Sequence, residues 1–240
     1  MPEVAPRIRR LGEEIVNSYL VEDGGAVTIV DAGAPSYWSG LPDELAALGR
    51  TLADVRAIVL THGHEDHIGF AERARVEAGI ASRVHHLDAT LARKEIGNPA
   101  RLGGKLRLRP TVGFFWFSLR HGLARVHGLG EVETFDAGAV LDVPGSPFVI
   151  HAPGHTPGSV ALHFAGHDTL FVGDALNTYS VATGWHGPQL SPFNADRAQA
   201  LESLSRLEEV EATYVLPGHG AAWRQGARDA VKEARRISVI

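Results

Sequence analysis

The chain has 240 residues, of which 44% are hydrophobic and 21% charged, and its formal net charge at pH 7 is −5. This composition shows no sign of disorder and predicts one domain, residues 1–240, with a sizeable core. The chain has no cysteine, which excludes disulfides and thiolate metal ligands. The first residues lack the apolar core of a signal peptide, and no apolar run approaches the roughly 18 residues that cross a bilayer. We therefore expect a cytoplasmic protein without a membrane span.

The first half of the chain alternates strand-like and helical patterns. The apolar spacing predicts strands over residues 15–20 and 26–30, a helix with Leu41, Leu45 and Leu48 on one face, and a strand ending at Leu60. This pattern is typical of strand-rich sequence with a helical crossover.

The densest group of metal-binding side chains follows the last of these strands, where residues 62–67 read His-Gly-His-Glu-Asp-His. Imidazole suits zinc and related divalent ions, and the carboxylate of Asp66 adds an oxygen ligand. The intervening glycine lets the chain turn so that His62 and His64 point the same way. Asp66 and His67 then begin a helix and face the same space from another side. The stretch therefore predicts two adjacent metal positions.

The second half repeats the alternation. It predicts strands over residues 149–152, 160–164 and 169–172, a helix from about Ala195 with Asn194 as its N-cap, and a strand over residues 214–216.

Three of these later strands lead to a further candidate ligand, in turn His155, Asp174 and His219, and a glycine directly precedes each one. Glycine lets the backbone turn sharply or approach a neighbour closely. Four strand ends are therefore expected to meet at one rim of an α/β fold.

Five motifs in this chain resemble those of the metallo-β-lactamase superfamily. In chain order they are residues 31–33 (Asp-Ala-Gly), 61–69 (Thr-His-Gly-His-Glu-Asp-His-Ile-Gly), 153–159 (Pro-Gly-His-Thr-Pro-Gly-Ser), 172–174 (Val-Gly-Asp) and 217–220 (Pro-Gly-His-Gly). They cover nearly the whole chain, so the resemblance is specific at the level of the superfamily. It implies a four-layer αββα sandwich with two mixed β-sheets, whereas periodicity alone supports only the α/β class.

The resemblance also implies a binuclear metal site. One ion would be held by His62, His64 and His155, the other by Asp66, His67 and His219, with Asp174 as the bridge. Asp31 resembles the family's buried carboxylate beneath the metal-binding histidines, although a turn residue before Gly33 explains that aspartate nearly as well.

Residues 88–130 separate the two halves and form an insertion with an aromatic cluster at residues 114–117. They also carry a locally basic set: Arg93, Lys94, Arg101, Lys105, Arg107, Arg109, Arg120 and Arg125. Similar hydrolases often use an insertion here as a cap. A cap would give a hydrophobic pocket with Trp116 in an acyl-binding wall and cations for an acidic or acyl-bearing substrate. A helix pair packed on the body, or a homodimer interface, stays open as the alternative.

The segment after Asp174 should line the same cleft, because it begins at a metal ligand. Asn177, Tyr179 and His186 are therefore candidates to support the ligands or to contact substrate. Tyr179 or His186 would orient a carbonyl or protonate a leaving group, and a packing role is the alternative for each.

The ligand set indicates the chemistry. Two Lewis-acidic ions that share a water would lower its pKa from about 15.7 to about 7, and the metal-bound hydroxide would attack a carbonyl carbon. We expect zinc, with iron or manganese as alternatives, and catalytic roles for Asp66 and Asp174. The chain has no GxSxG motif and no thiol for a covalent route. The sequence therefore predicts a dinuclear hydrolase that cleaves an ester, lactone or thioester of a small acyl substrate.

Particular residues discriminate among members of the superfamily. Asp174 disfavours a β-lactamase, which usually has cysteine or serine there, and His64 disfavours the flavodiiron relatives, which usually have glutamate. Glyoxalase II-like thioesterases and acyl-homoserine-lactone lactonases share the ligand set. However, the 20 residues after Gly220 are too few for the C-terminal helical domain of the former, and Asn177 stands where the latter often have tyrosine.

Two other classes stay open. RNA-processing nucleases carry a block very similar to residues 61–67, and a persulfide-dioxygenase-like enzyme would hold one iron among His62, His64, His155 and Asp174. The negative net charge makes the chain a poor binder of polyanions, so no nucleic-acid partner is expected.

Overall fold

The computed structural model describes residues 3–104 and 106–238, so Lys105 of the basic set lies outside the described residues. The strands are β1 (Glu3–Ala5), β2 (Ile8–Glu13), β3 (Val16–Asp23), β4 (Ala26–Val30), β5 (Val55–Val59), β6 (Ser82–His85), β7 (Arg101–Leu102), β8 (Glu133–Phe135), β9 (Phe148–His151), β10 (Val160–Phe164), β11 (Thr169–Gly173), β12 (Asn177–Tyr179), β13 (His186–Gln189), β14 (Phe193–Asn194) and β15 (Tyr214–Pro217). The α-helices are α1 (Leu41–Ala46), α2 (Glu65–Ile68), α3 (Ala71–Ala78), α4 (Ala89–Ala92), α5 (Leu108–His121), α6 (Arg197–Glu208) and α7 (Ala227–Ser238).

Two mixed sheets form the body of the molecule. The larger sheet has the order β1-β2-β3-β4-β5-β6-β8, antiparallel from β1 to β4 and parallel from β4 to β8. The smaller sheet has the order β15-β11-β10-β9, in which β11 and β15 are parallel and the other two pairs antiparallel. β9, β11 and β15 run in the same direction and therefore end at the same edge of the sheet. The loops that follow these strands lie at one rim.

Successive side chains along these strands face opposite layers. One set packs beneath α1, α3 and α5 on the outer face of the larger sheet: Leu20, Ile29 and Ile58. Their chain neighbours face the smaller sheet and pack on it: Val21, Val30 and Val59 against Phe171. The far face of the smaller sheet packs against α6 and α7: Leu170 with Leu204 and Val231. The layers are helix, sheet, sheet and helix, which confirms the αββα fold that the resemblance implies.

The helix expected from about Ala195 begins two residues later. Asn194 is not its N-cap, because Asn194 pairs with Arg101 in the β14–β7 ribbon and its Nδ2 donates to the Ser191 carbonyl. Asp196 is the N-cap instead, since its carboxylate accepts the backbone N–H of Gln199 at 3.0 Å.

Two other predicted helices differ from the sequence pattern. Leu48 packs on the same core as Leu41 but lies beyond the end of α1. The helix after β5 is divided at Gly69, where a Cβ atom would lie 2.0 Å from the carbonyl oxygen of Gly33. Within residues 3–104 and 106–238, no helix combines the length and apolar character needed to span a membrane.

Candidate metal centre

Seven side chains from four strand ends meet at the rim between the two sheets. Four follow β5, and one each follows β9, β11 and β15: His62, His64, Asp66, His67, His155, Asp174 and His219. Six of them are buried, whereas the side chain of Asp66 is 19% exposed. The structure therefore brings together every residue that the sequence placed in the metal site.

Three imidazoles form the first group. The Nε2 atom of His155 lies 3.2 Å from Nε2 of His62 and 3.0 Å from Nδ1 of His64. The Oδ2 atom of Asp174 lies 3.6 Å from the same nitrogen of His155. The first group thus presents three nitrogen atoms to one point, with a carboxylate beside them.

The second group combines two imidazoles with Asp66. The Nε2 atom of His219 lies 3.4 Å from Oδ2 of Asp66 and 3.3 Å from Oδ2 of Asp174. The Nε2 atom of His67 lies 4.0 Å from Oδ1 of Asp66 and 3.5 Å from Oδ1 of Asp174. Asp174 therefore lies between the groups, with one oxygen toward His67 and the other toward His155 and His219.

Hydrogen bonds on the outer side of the rings determine which nitrogen faces the group. Nδ1 of His155 donates to the carbonyl of Phe193 at 2.6 Å, and Nδ1 of His219 donates to the carbonyl of Ile15. An imidazole protonated on Nδ1 keeps a lone pair on Nε2. These bonds therefore direct Nε2 of both rings to the centre.

Asp31 orients two further rings. Its Oδ2 atom accepts Nδ1–H of His67 at 2.8 Å and the hydroxyl of Thr61 at 2.8 Å, while its Oδ1 atom accepts the Thr61 backbone N–H at 2.7 Å. The hydroxyl of Thr61 donates to Asp31, so the oxygen of that hydroxyl can accept Nδ1–H of His62 at 3.1 Å. Asp31 has a φ of 58°, a left-handed conformation that aspartate tolerates better than most residues. It lies beneath the histidines, as the resemblance implies.

These contacts test whether a metal fits. Lone pairs that face one another at 3.0–3.6 Å repel unless a cation lies among them. Within the described residues, Nε2 of His67 and Oδ1 of Asp174 are buried without a hydrogen-bond partner. Nitrogen and carboxylate oxygen are the donor atoms that zinc and other first-row divalent ions take from proteins. The donor set therefore fits divalent metal ions.

The two groups differ in electrostatics. Burial lowers the pKa of His62, and it lowers the pKa of His64 to about 4, so both rings are neutral near pH 7. Burial also acts to lower the pKa of His219, but Asp174 and Asp66 raise it to about 9. Burial alone would raise the pKa of the Asp174 carboxyl, but His219 and His155 hold it well below its usual range. The carboxylates of Asp66 and Asp174 therefore favour positive charge at the second group, whereas His62 and His64 stay neutral.

The glycines that precede the ligands are sterically required. Gly173 has a φ of 48°, and a Cβ atom there would lie 2.4 Å from the hydroxyl oxygen of Thr61. A Cβ atom on Gly218 would lie 2.3 Å from Oδ1 of Asp174 and 2.6 Å from Cε1 of His67. Glycine at these positions lets two ligand loops approach each other closely.

Asp88 is a supporting residue that sequence reasoning missed. Its buried carboxylate accepts the backbone N–H of Gly63 at 2.9 Å, the backbone N–H of Gly158 at 2.7 Å and the hydroxyl of Thr156 at 2.6 Å. Asp88 thereby fixes the loop of His62 and His64 to the loop that carries His155. Asp88 follows the end of β6, as the ligands follow the ends of other strands, and this position could have identified it from the sequence.

A cavity of about 520 Å³ opens onto this centre. We call five of its lining residues the cavity floor: His64, Asp66, His155, Asp174 and His219. Four apolar residues from the insertion form what we call the insertion wall: Phe114, Phe115, Leu119 and Leu123. Lys94 and Tyr179 also line the cavity. The insertion therefore borders the metal centre.

The remaining predicted residues lie in different places. Trp116 is not among the residues that line the cavity, and its side chain is 64% exposed on α5. His186 is also exposed and outside the lining, with its ring centre 5.0 Å from that of Tyr179. Asn177 is buried and accepts the backbone N–H of His219 at 3.2 Å, so it supports a ligand loop.

Known proteins share this sequence pattern and fold. A family model described as the metallo-beta-lactamase superfamily matches residues 11–219. The chain belongs to this superfamily. It is 27% identical over 235 residues to the uncharacterized protein YobT of Bacillus subtilis strain 168, which covers 92% of this chain and 91% of that protein. It is also 27% identical over 262 residues to the probable metallo-hydrolase YflN of the same strain, with 99% and 94% covered.

Solved structures agree with this assignment to the superfamily. The metallo-beta-lactamase family protein TTHA1429 of Thermus thermophilus superposes with a TM-score of 0.68 at 23% identity, covering 96% of this chain and 78% of that one. The protein TTHA1623, solved in a di-iron-bound form, gives a TM-score of 0.63 at 26% identity, covering 92% and 96%. The likeness to TTHA1429 shows the fold alone.

Proposed function

We propose that this metallo-β-lactamase superfamily member is a dinuclear metal-dependent hydrolase that cleaves an ester, lactone or thioester bond of a small acyl substrate. One observation carries the proposal: the seven buried or nearly buried side chains divide into two groups of three that share Asp174. His62, His64 and His155 would hold one ion, and Asp66, His67 and His219 the other. The probable metallo-hydrolase relative supports the same class of reaction.

The ligand atoms of the site are compatible with several divalent metal ions. Nitrogen and oxygen ligands without thiolate suit zinc, iron and manganese, and we propose zinc. The di-iron form of TTHA1623 makes iron the first alternative to test. When bound, two such ions supply Lewis acidity that activates water near neutral pH and polarises a carbonyl group.

The chain's own residues orient the substrate and handle protons. Asp66 is the one partly exposed carboxylate of the seven, and it lines the cavity, so it can accept a proton from the attacking water and return it to the leaving oxygen or sulfur. Asp174 fixes the two groups relative to each other. Tyr179 lines the same cavity, and we propose that its phenol donates a hydrogen bond to the substrate carbonyl.

The cavity supports a small acyl substrate rather than a polymer. Its volume of about 520 Å³ lies within the range typical of small-molecule sites. The insertion wall offers apolar surface for an acyl chain. Lys94 also lines the cavity, where its ammonium lies 3.5 Å from Glu65, so an acidic group of the substrate would share that cation with Glu65. We propose that residues 88–130 act as this cap within one domain, residues 1–240, and that Phe114 and Phe115, rather than Trp116, contact the acyl group.

A substrate panel tests the proposal. We expect zinc-reconstituted protein to hydrolyse soluble aryl esters, lactones or thioesters, and Asp174→Ala to be inactive on all of them. The proposal is wrong if the whole panel is inert while the protein consumes oxygen with a persulfide substrate. It is equally wrong if the protein cleaves RNA and loses that activity in His64→Ala.

A further inference from the structure

One helix of the insertion presents an apolar face to solvent. Five side chains of α5 form what we call the apolar stripe: Leu108, Val112, Phe115, Trp116 and Leu119, with exposures of 80%, 42%, 57%, 64% and 50%. At about 100° per residue they fall within a sector of about 100°, and the buried Phe117 faces the opposite side. Such a stripe is normally covered in a folded protein.

The stripe lies in a region of positive charge. No acidic residue occurs between Glu95 and Glu131, although the whole chain has a net charge of −5. Five arginines of this stretch are exposed: Arg101, Arg107, Arg109, Arg120 and Arg125. Within the described residues, none of their side chains forms an ion pair. Their charges are therefore available to an external anionic surface.

The two edges of the stripe differ. Arg109 and Arg120 lie just beyond one edge, at about 100° and 120° from Leu108 around the helix axis. On the other side, Phe115 and Leu119 belong both to the stripe and to the lining of the cavity. Whatever covers the stripe therefore also borders the mouth of the cavity.

We infer that this face docks on an anionic lipid bilayer. Helices that lie in the membrane interface combine tryptophan, phenylalanine and leucine on one face with arginine beside it, and anionic headgroups attract the arginines. Docking of the stripe places the cavity mouth at the lipid surface. The inference concerns binding and does not depend on the reaction proposed for the metal centre.

Two other occupants fit the charges and side chains less well. A two-fold contact between copies would bring the arginines of both copies toward each other, with no acidic residue of this stretch to compensate. Single-stranded RNA would match the charge, but three of the five stripe residues are aliphatic and offer no ring on which a base can stack: Leu108, Val112 and Leu119.

Vesicle binding tests the inference on the full chain. We expect the protein to cosediment with vesicles made of equal parts phosphatidylcholine and phosphatidylglycerol, and to bind pure phosphatidylcholine at least tenfold more weakly. Brominated acyl chains should quench tryptophan fluorescence in the wild type and not in Trp116→Phe. Arg109→Gln combined with Arg120→Gln should weaken binding by about fivefold for each arginine. Leu108→Ser combined with Trp116→Ser should abolish it.

Matched variants elsewhere on the surface serve as controls. Arg228→Gln removes an exposed arginine of α7 and Val76→Ser removes an exposed apolar side chain of α3, and neither should change vesicle binding. Equal binding to both vesicle types, or wild-type binding by the stripe variants, would overturn the inference. A dimer in solution that the stripe variants dissociate would assign the face to a second copy. RNA binding that the arginine variants weaken, without vesicle binding, would assign it to nucleic acid.

Discussion

The cavity floor and the insertion wall are built in different ways. The floor residue His155 is 2% exposed, and hydrogen bonds to backbone carbonyls fix its ring and that of His219. The wall residues Phe115 and Leu119 are 57% and 50% exposed on one helix that lies between two loops of the insertion. Reaction chemistry requires fixed geometry, whereas substrate choice tolerates change. Mutations in the floor should therefore affect all substrates alike, and mutations in the wall should change which substrate is preferred.

The largest expected effect concerns the carboxylate shared by both metal groups. Asp174→Ala removes the oxygens that lie 3.3 Å to 3.6 Å from three histidine nitrogens, so we expect metal loss and at least about a hundredfold lower kcat/KM on every substrate. Metal content by plasma mass spectrometry and steady-state kinetics measure this. Ser191→Ala, which removes a single 3.3 Å contact to Asp174, is the matched control and should retain metal. Full activity and metal in Asp174→Ala would disprove its bridging role.

The second prediction concerns the support beneath the floor. Asp31→Asn keeps a residue that tolerates the φ of 58° but weakens the contact to Nδ1 of His67, so metal affinity should fall by about 10- to 100-fold. Competition with a chelator measures the affinity. Thr61→Val leaves the contact between Asp31 and His67 intact and should have a smaller effect. An unchanged affinity in Asp31→Asn would show that this contact does not orient the ring.

The third prediction concerns the loop connection made by Asp88. Asp88→Ala leaves the backbone N–H groups of Gly63 and Gly158 without their acceptor in a buried site, so the free energy of unfolding should fall by about 2 kcal/mol. Urea unfolding at saturating metal measures it. Asp142→Ala, at an exposed aspartate, should change the free energy by less than about 0.5 kcal/mol. Equal stability of the two variants would contradict the assigned role.

The smallest expected effect tests the insertion wall. Phe115→Ala should lower kcat/KM for long acyl chains by about tenfold relative to short ones, because apolar contact with the chain is lost. Trp116→Ala should leave the ratio unchanged for soluble substrates, since Trp116 does not line the cavity. A panel of esters of increasing chain length measures the ratio. The opposite result, with Trp116 setting selectivity, would support the original interpretation of the sequence.

The seven metal-binding residues could be predicted from the sequence because they follow strand ends in short motifs. Residues 62–67 carry four of the seven, and a glycine identifies each of the other three. The strands over residues 26–30 and 160–164 have the predicted bounds. Asp88 was missed because its three partners come from two loops that are far apart in sequence.

The wall could not be predicted residue by residue. Four consecutive aromatic residues on a helix point in four directions about 100° apart, and the sequence does not show which direction faces the cavity. In the structure Phe114 and Phe115 face it, Phe117 enters the core and Trp116 faces solvent. Similarly, Asn194 and Asp196 are both good N-caps, and the pairing of β14 with β7 decides between them.

The metal content of protein purified without added metal, measured together with turnover, tests the central claim most directly. We predict two divalent ions per chain, ester, lactone or thioester hydrolysis that rises and falls with that content, and loss of both in Asp174→Ala. A single iron per chain with oxygen consumption and no hydrolysis, or full hydrolysis by metal-free protein, would contradict the account.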